Sequence, residues 1–198
     1  MRNSLSNAAV LCAVAVVSLA VPAGAQTPAP SKGGPNIHAV ENATYVTIPM
    51  EITVNRPAAE VWKRIGKYCD IAEWLQIAAG CTITAGKDNE IGAVRSVAAE
   101  VLVGKSEFSY TYTQTVAFQN RTGAPYNLYH GTLEARPVDA KSSRLLYTLI
   151  YDNSMLPDDA AKAKDRAGRE AVFNRALQNM KTLAEGGTLP PPPARGKK

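Results

Sequence analysis

The last regular segment of the chain limits the fold more than any other. Phe173, Ala176, Leu177, Met180, Leu183 and Ala184 recur at helical spacing, while Lys, Arg, Asp and Gln fill the opposite side. The pattern predicts one amphipathic helix over residues 158–185, about seven turns long, stopped by Gly186-Gly187. The remainder, TLPPPPARGKK, has no apolar face to offer it. Such a helix persists in water only by packing its stripe on something earlier in the chain. What comes earlier is mostly strand, so a sheet has to bend around the helix.

TYVTIPMEITV, residues 44–54, alternates as a first strand and is ended by Asn55-Arg56-Pro57. PAAEVWKRIGKY then has helical character, with Val61, Trp62 and Ile65 on one side and Pro57 at its start. Asp70 is placed to cap a second short helix, DIAEWLQ, carrying Trp74 and Leu75. Strand periodicity takes over in residues 81–85, 91–97, 100–103, 107–115, 127–136 and 143–152. The breakers GKDN, GK, NRTGAP and VDAKSS between them predict hairpin-like links and an antiparallel meander. Ala98-Ala99 is the poorest link, because a tight hairpin asks for positive φ and neither residue favours it.

Strand, two short helices, antiparallel strands and one long terminal helix is the order of the helix-grip fold, an α+β architecture. On the stretches PAAEVWKRIGKYCDIAEW, IGAVRSV, AEVL, YHGTLEARPV and YTLIYD, the chain resembles the START-like, Bet v 1-like superfamily. Within it, the likeness is to the bacterial polyketide cyclase/dehydrase-like (SRPBCC) proteins, over about residues 45–184. The resemblance implies a curved sheet of six to seven strands gripping the C-terminal helix, with a ligand cavity between them. It also implies that the Gly-x-x-Arg element, here Gly92 and Arg95, and the Glu opening the next strand, here Glu100, belong to strands that wall the cavity. Such families include carriers, receptors and cyclases with no universal catalytic motif.

The two ends set the compartment. One early Arg, an uncharged run over residues 5–21 and Ala23-Gly24-Ala25 read as a secretory signal cleaved after Ala25, since the run is short for a membrane span. The expected organisation is a signal peptide at 1–25, a disordered leader at 26–36, a helix-grip domain at 37–186 and a proline-rich basic tail at 187–198. The mature protein is then periplasmic or secreted, with no stable membrane insertion. Five of the 22 Lys and Arg, at 2, 32, 195, 197 and 198, lie outside the domain, leaving 17 against 17 Asp and Glu. A neutral body gives no basis for nucleic-acid binding. Only Cys69 and Cys81 remain after cleavage, either as a disulfide suited to an exported protein or as two small buried hydrophobes. His130 is the single His within the predicted strands and helices and there is no Cys-x-x-Cys, so no metal and no cofactor is implied.

The stretch SEFSYTYTQT gives the interior its character. Period-two alternation places Phe108, Tyr110 and Tyr112 on one face, Tyr129 with Leu133 and Ala135, and Tyr147 and Tyr151 with Leu145 and Leu149. Each is the more apolar face of its strand, so phenols converge beneath Phe173, Leu177 and Met180. Buried phenol hydroxyls need partners, which a wet cavity, a bound molecule or the surrounding backbone supplies. A two-residue turn at Ala98-Ala99 makes Arg95 and Glu100 diagonal neighbours, with the inward face favoured for the pair. His130, at opposite parity to Tyr129, is expected outside. The expectation is an exported binder of a hydrophobic or aromatic small molecule. The alternatives are a cyclase or dehydratase with Glu100 as general base, and an envelope interaction protein with a filled core.

Overall fold

The computed structural model describes residues 42–114 and 128–192. Its elements are β1 (Tyr45–Val54), α1 (Ala58–Ile65), α2 (Ile71–Trp74), β2 (Ile83–Ala85), β3 (Val94–Arg95), β4 (Glu100–Ser106), β5 (Ser109–Gln114), β6 (Tyr129–Pro137), β7 (Ser143–Asp152) and α3 (Asp159–Ala184). Seven antiparallel strands form one curved sheet in the order β1-β7-β6-β5-β4-β3-β2. The first strand thus returns to pair with the last along its whole length, Tyr45 opposite Asp152 and Val54 opposite Ser143. This is the helix-grip arrangement anticipated from the order of elements.

α3 begins at Asp158, whose carboxylate accepts the Ala161 amide at 2.8 Å. It ends where Gly186 takes φ 85° and the Gly186 and Gly187 amides bond back to Leu183 and Thr182. Its buried residues are Phe173, Ala176, Leu177, Asn179, Met180 and Leu183, all in the C-terminal half. That half is fastened to the strand side: Lys181 Nζ donates to the Thr53 carbonyl at 2.9 Å, and Glu185 accepts the Asn55 amide at 2.8 Å. Residues 159–172 bury nothing fully, although the helix continues through them.

Several local expectations need correction. Gly104-Lys105 is not a link; β4 runs through it with a register shift between Leu102 and Gly104, and the turn is Glu107-Phe108, closed by Ser106 opposite Ser109. The predicted strand over 91–97 shrinks to Val94–Arg95, because Gly92 (φ 93°) and the turn after Arg95 interrupt it. Asp70 precedes α2 without capping it; its carboxylate accepts the Lys67 amide at 2.9 Å instead. Beyond Gly187 the chain stays near the domain: Leu189 packs against the core and Gln76 donates its side-chain amide to the Pro190 carbonyl at 2.6 Å. Thr115 and Asn127, the expected strand ends, and the 1–25 signal, the 26–36 leader and residues 193–198 lie outside the described residues.

Candidate functional site

β3 and β4 set the centre of the interior. Arg95 lies directly opposite Glu100, not diagonal to it as a simple two-residue hairpin requires. The Glu100 amide does bond to the Val97 carbonyl at 3.2 Å, with Ala98 at φ 52° and Ala99 at φ 50°. Ser96, however, turns out of the β3–β4 ladder and donates its amide to the Thr82 carbonyl at 2.8 Å. The result is a tight turn mounted on an irregular β3. Two alanines in the left-handed region cost about 1 kcal/mol or more each, and they deliver both charged side chains inward.

The pair is buried, with Arg95 0% and Glu100 4% exposed. Arg95 Nε donates to Glu100 Oε2 at 2.7 Å and Nη1 to the Tyr68 carbonyl at 2.7 Å. The Tyr68 and Tyr112 ring centroids lie 4.3 and 4.7 Å from the guanidinium carbon, with Tyr110 at 6.0 Å. Burial pushes the Glu100 carboxyl up, and Arg95 and Gln114 pull only part of the way back. Burial also raises the Tyr110, Tyr112 and Tyr147 phenols, so they stay protonated as hydrogen-bond donors.

The phenols form one continuous cluster. Tyr112 and Tyr147 share a hydroxyl–hydroxyl bond of 2.8 Å. Tyr147 packs on Phe173 of α3 at 4.6 Å between centroids and on Trp74 at 6.1 Å. Tyr68 meets Tyr110 edge-on at 5.6 Å. Leu177 and Met180 of α3 are buried in the same core. Tyr129 and Tyr151 pack together at one side, and Arg169 from the less buried half of α3 stacks over both, at 5.2 and 4.3 Å, while paired with Asp165 at 2.8 Å.

Two expectations change here. Phe108 lies in the β4–β5 turn, only partly buried, and is not a strand neighbour of Tyr110 and Tyr112. The lining is also denser than a cavity wall. Arg95, Tyr110, Tyr112, Tyr147 and Tyr151 are at most 1% exposed, so each is closely packed by its neighbours. Side chains take up the space around these residues, among them the Tyr112 ring, whose tip lies over Gly131. An open recess of about 510 Å³ does exist, bordered by Asn55, Arg56, Pro57, Glu60 and residues 139–142, but no expected site residue lines it.

Some participants were not anticipated. Tyr68, expected on the first short helix, sits in the link after α1 and is fully buried. Asn179, inside the apolar stripe, donates to the Trp74 carbonyl at 2.9 Å and ties α3 to α2. Arg169 is a third; only its place one helical turn before Phe173 hinted at an inward reach. A disulfide joins Cys69 to Cys81, next to Tyr68. His130 is half-buried at opposite parity to Tyr129, with Nε2 3.4 Å from the Thr113 hydroxyl, and burial lowers its pKa. Among the described residues no three His, Cys, Asp or Glu side chains converge, and no helix is long and apolar enough to cross a membrane.

Comparison with known proteins agrees with this architecture. A protein of Thermobifida fusca solved by solution NMR is similar at TM-score 0.58 and 22% identity, covering 71% of this chain and 95% of that one. The Zhui aromatase/cyclase of Streptomyces sp. R1128 is similar at TM-score 0.53 and 17% identity, covering 73% and 100%. Truncated norcoclaurine synthase of Thalictrum flavum is similar at TM-score 0.53 and 11% identity, covering 74% and 97%. At these identities the likeness is one of fold. No curated protein matches the sequence. The sequence does match, over residues 45–185, the family described as polyketide cyclase / dehydrase and lipid transport, and the chain belongs to that family.

Proposed function

We propose that the protein is an exported binder of a small hydrophobic or aromatic molecule, taken up between sheet and helix beside Arg95, Glu100 and the phenols. The observation that carries this reading is the buried ion pair inside a cage of aromatic rings. Desolvating two charges costs several kcal/mol each, and apolar residues of similar volume close a core as well or better. Strongly perturbed titratable groups clustered in one interior are a functional signature. Among the described residues the buried Tyr68 hydroxyl and Trp74 Nε1 have no hydrogen-bond partner, so a ligand oxygen would meet them. Because the rings touch, uptake requires the grip to open. The N-terminal pattern and the Cys69–Cys81 disulfide support export to an oxidising compartment.

Native mass spectrometry on protein purified from its host tests the reading. The expected result is a retained small adduct, absent from the Arg95→Met/Glu100→Leu double variant. Protein that carries no adduct and takes up no hydrophobic dye contradicts it.

A cyclase or dehydratase reaction in the same interior is the second reading, favoured by one specific feature. Burial raises the Glu100 carboxyl above its ordinary value, the direction that makes its carboxylate a stronger base. Protonated phenols beside it can donate to an enolate oxygen. Under this reading Glu100→Gln abolishes turnover of a bound carbonyl compound while sparing its binding; turnover at the wild-type rate removes Glu100 from the mechanism.

A further inference from the structure

The floor of the interior is built in an unusual way. Tyr112 on β5 lies opposite Gly131 on β6, and Gly131 lies opposite Leu149 on β7. The tip of the Tyr112 ring lies over Gly131: a Cβ there would meet the ring's Cζ and hydroxyl oxygen at 2.3 Å. Its hydroxyl reaches Tyr147 and its ring lies against the Arg95 guanidinium. One flat phenol therefore occupies the slot defined by a bare stretch of backbone, a cation and a hydroxyl.

Resting on the ligand-binding reading above, we propose that Tyr112 is an internal stand-in for the ligand. An incoming phenol-bearing ring system displaces it, lies against Gly131 and Arg95, and gives its hydroxyl to Tyr147. Gly131 and Tyr112 thereby set specificity for flat aromatics with one hydrogen-bonding oxygen. The chemistry matches part for part: a π face for the guanidinium, an oxygen for Tyr147, and no side chain at residue 131 to hold the ligand off the sheet. Tyr112 is 1% exposed, so its ring has no free space to move into while the grip is closed. Displacement and opening of α3 are accordingly one event, and whatever weakens the closed position of Tyr112 favours binding.

Titration of 2-naphthol into wild type, Tyr112→Phe and Gly131→Ala, followed by calorimetry with the Tm of each protein recorded, tests this. Tyr112→Phe removes the bond that holds the closed ring and is expected to tighten binding about fivefold, the worth of one neutral hydrogen bond. Gly131→Ala puts a methyl where the incoming ring is to lie and is expected to weaken binding about tenfold or more. If Gly131→Ala does not fold, Tyr112→Phe alone decides. A merely structural Tyr112 lowers the Tm of Tyr112→Phe without improving its affinity, so wild-type binding with equal or weaker binding by Tyr112→Phe overturns the proposal and leaves the general reading standing. No binding by any of the proteins overturns both.

Discussion

Arg95 and Glu100 meet where no charge gains by being, and their energetics separate a retained site from an accident of packing. Removing one partner leaves the other buried and unpaired, which costs about 3–5 kcal/mol. Arg95→Met alone and Glu100→Leu alone are therefore expected to lower unfolding free energy by about that much, whereas Arg95→Met/Glu100→Leu together cost far less. Urea unfolding of the four proteins checks it, and additive losses contradict the coupling. The pH dependence has a definite sign. Glu100 is raised in the folded state, mainly by burial. Its contribution is fully present below the ordinary carboxylate range and is lost as pH rises through the raised folded value. The stability of wild type relative to the double variant is expected to fall from acid to neutral pH, and a rise contradicts the assignment. Both residues were legible in the sequence through the Gly-x-x-Arg pattern and the following Glu. Their direct opposition was not, because Ser96 leaves the ladder to bond Thr82, a tertiary choice with no local signature.

At the scale of elements, the β3–β4 turn and α3 carry the informative strain. Ala98 and Ala99 adopt the backbone of an Asn-Gly hairpin without its residues. Ala98→Asn/Ala99→Gly is expected to stabilise the protein by about 1 kcal/mol, read as a raised Tm; no gain means the positive φ values carry no penalty there. In α3 burial stops at Phe173. Amides of residues 159–172 are expected to exchange with deuterium well before those of residues 173–184, and uniform protection contradicts a helix that can part from the sheet at one end. Helix positions and the inward face of β5–β7 followed from periodicity alone. Gly104-Lys105 reads as a link but is regularly paired strand just after the shift at Leu102–Gly104, because Gly and Lys mark a turn and a strand irregularity equally well. The Cys69–Cys81 pairing needed geometry that spacing does not supply. Replacing both with Ser is expected to remove about 3 kcal/mol for a loop of this size.

For the molecule as a whole, the grip is closed on its own side chains. The residues expected to line a hollow instead fill it: the phenols touch one another, Arg95 and α3. Sequence periodicity reports which way a side chain points but not how far the two layers stand apart, so a lining and a packed core read alike. Tyr68, Asn179 and Arg169 escaped for a related reason, since each acts through a contact between elements far apart in the chain. On the proposed function the interior is a ligand site held shut, with Tyr112 and Tyr147 among the groups a guest must meet. Intermolecular NOEs between 2-naphthol and the aromatic protons of the protein test this most directly. Cross-peaks to the rings of Tyr112 and Tyr147 are the predicted result; contacts confined to the recess around Asn55 and Ser142, or none at all, would contradict it.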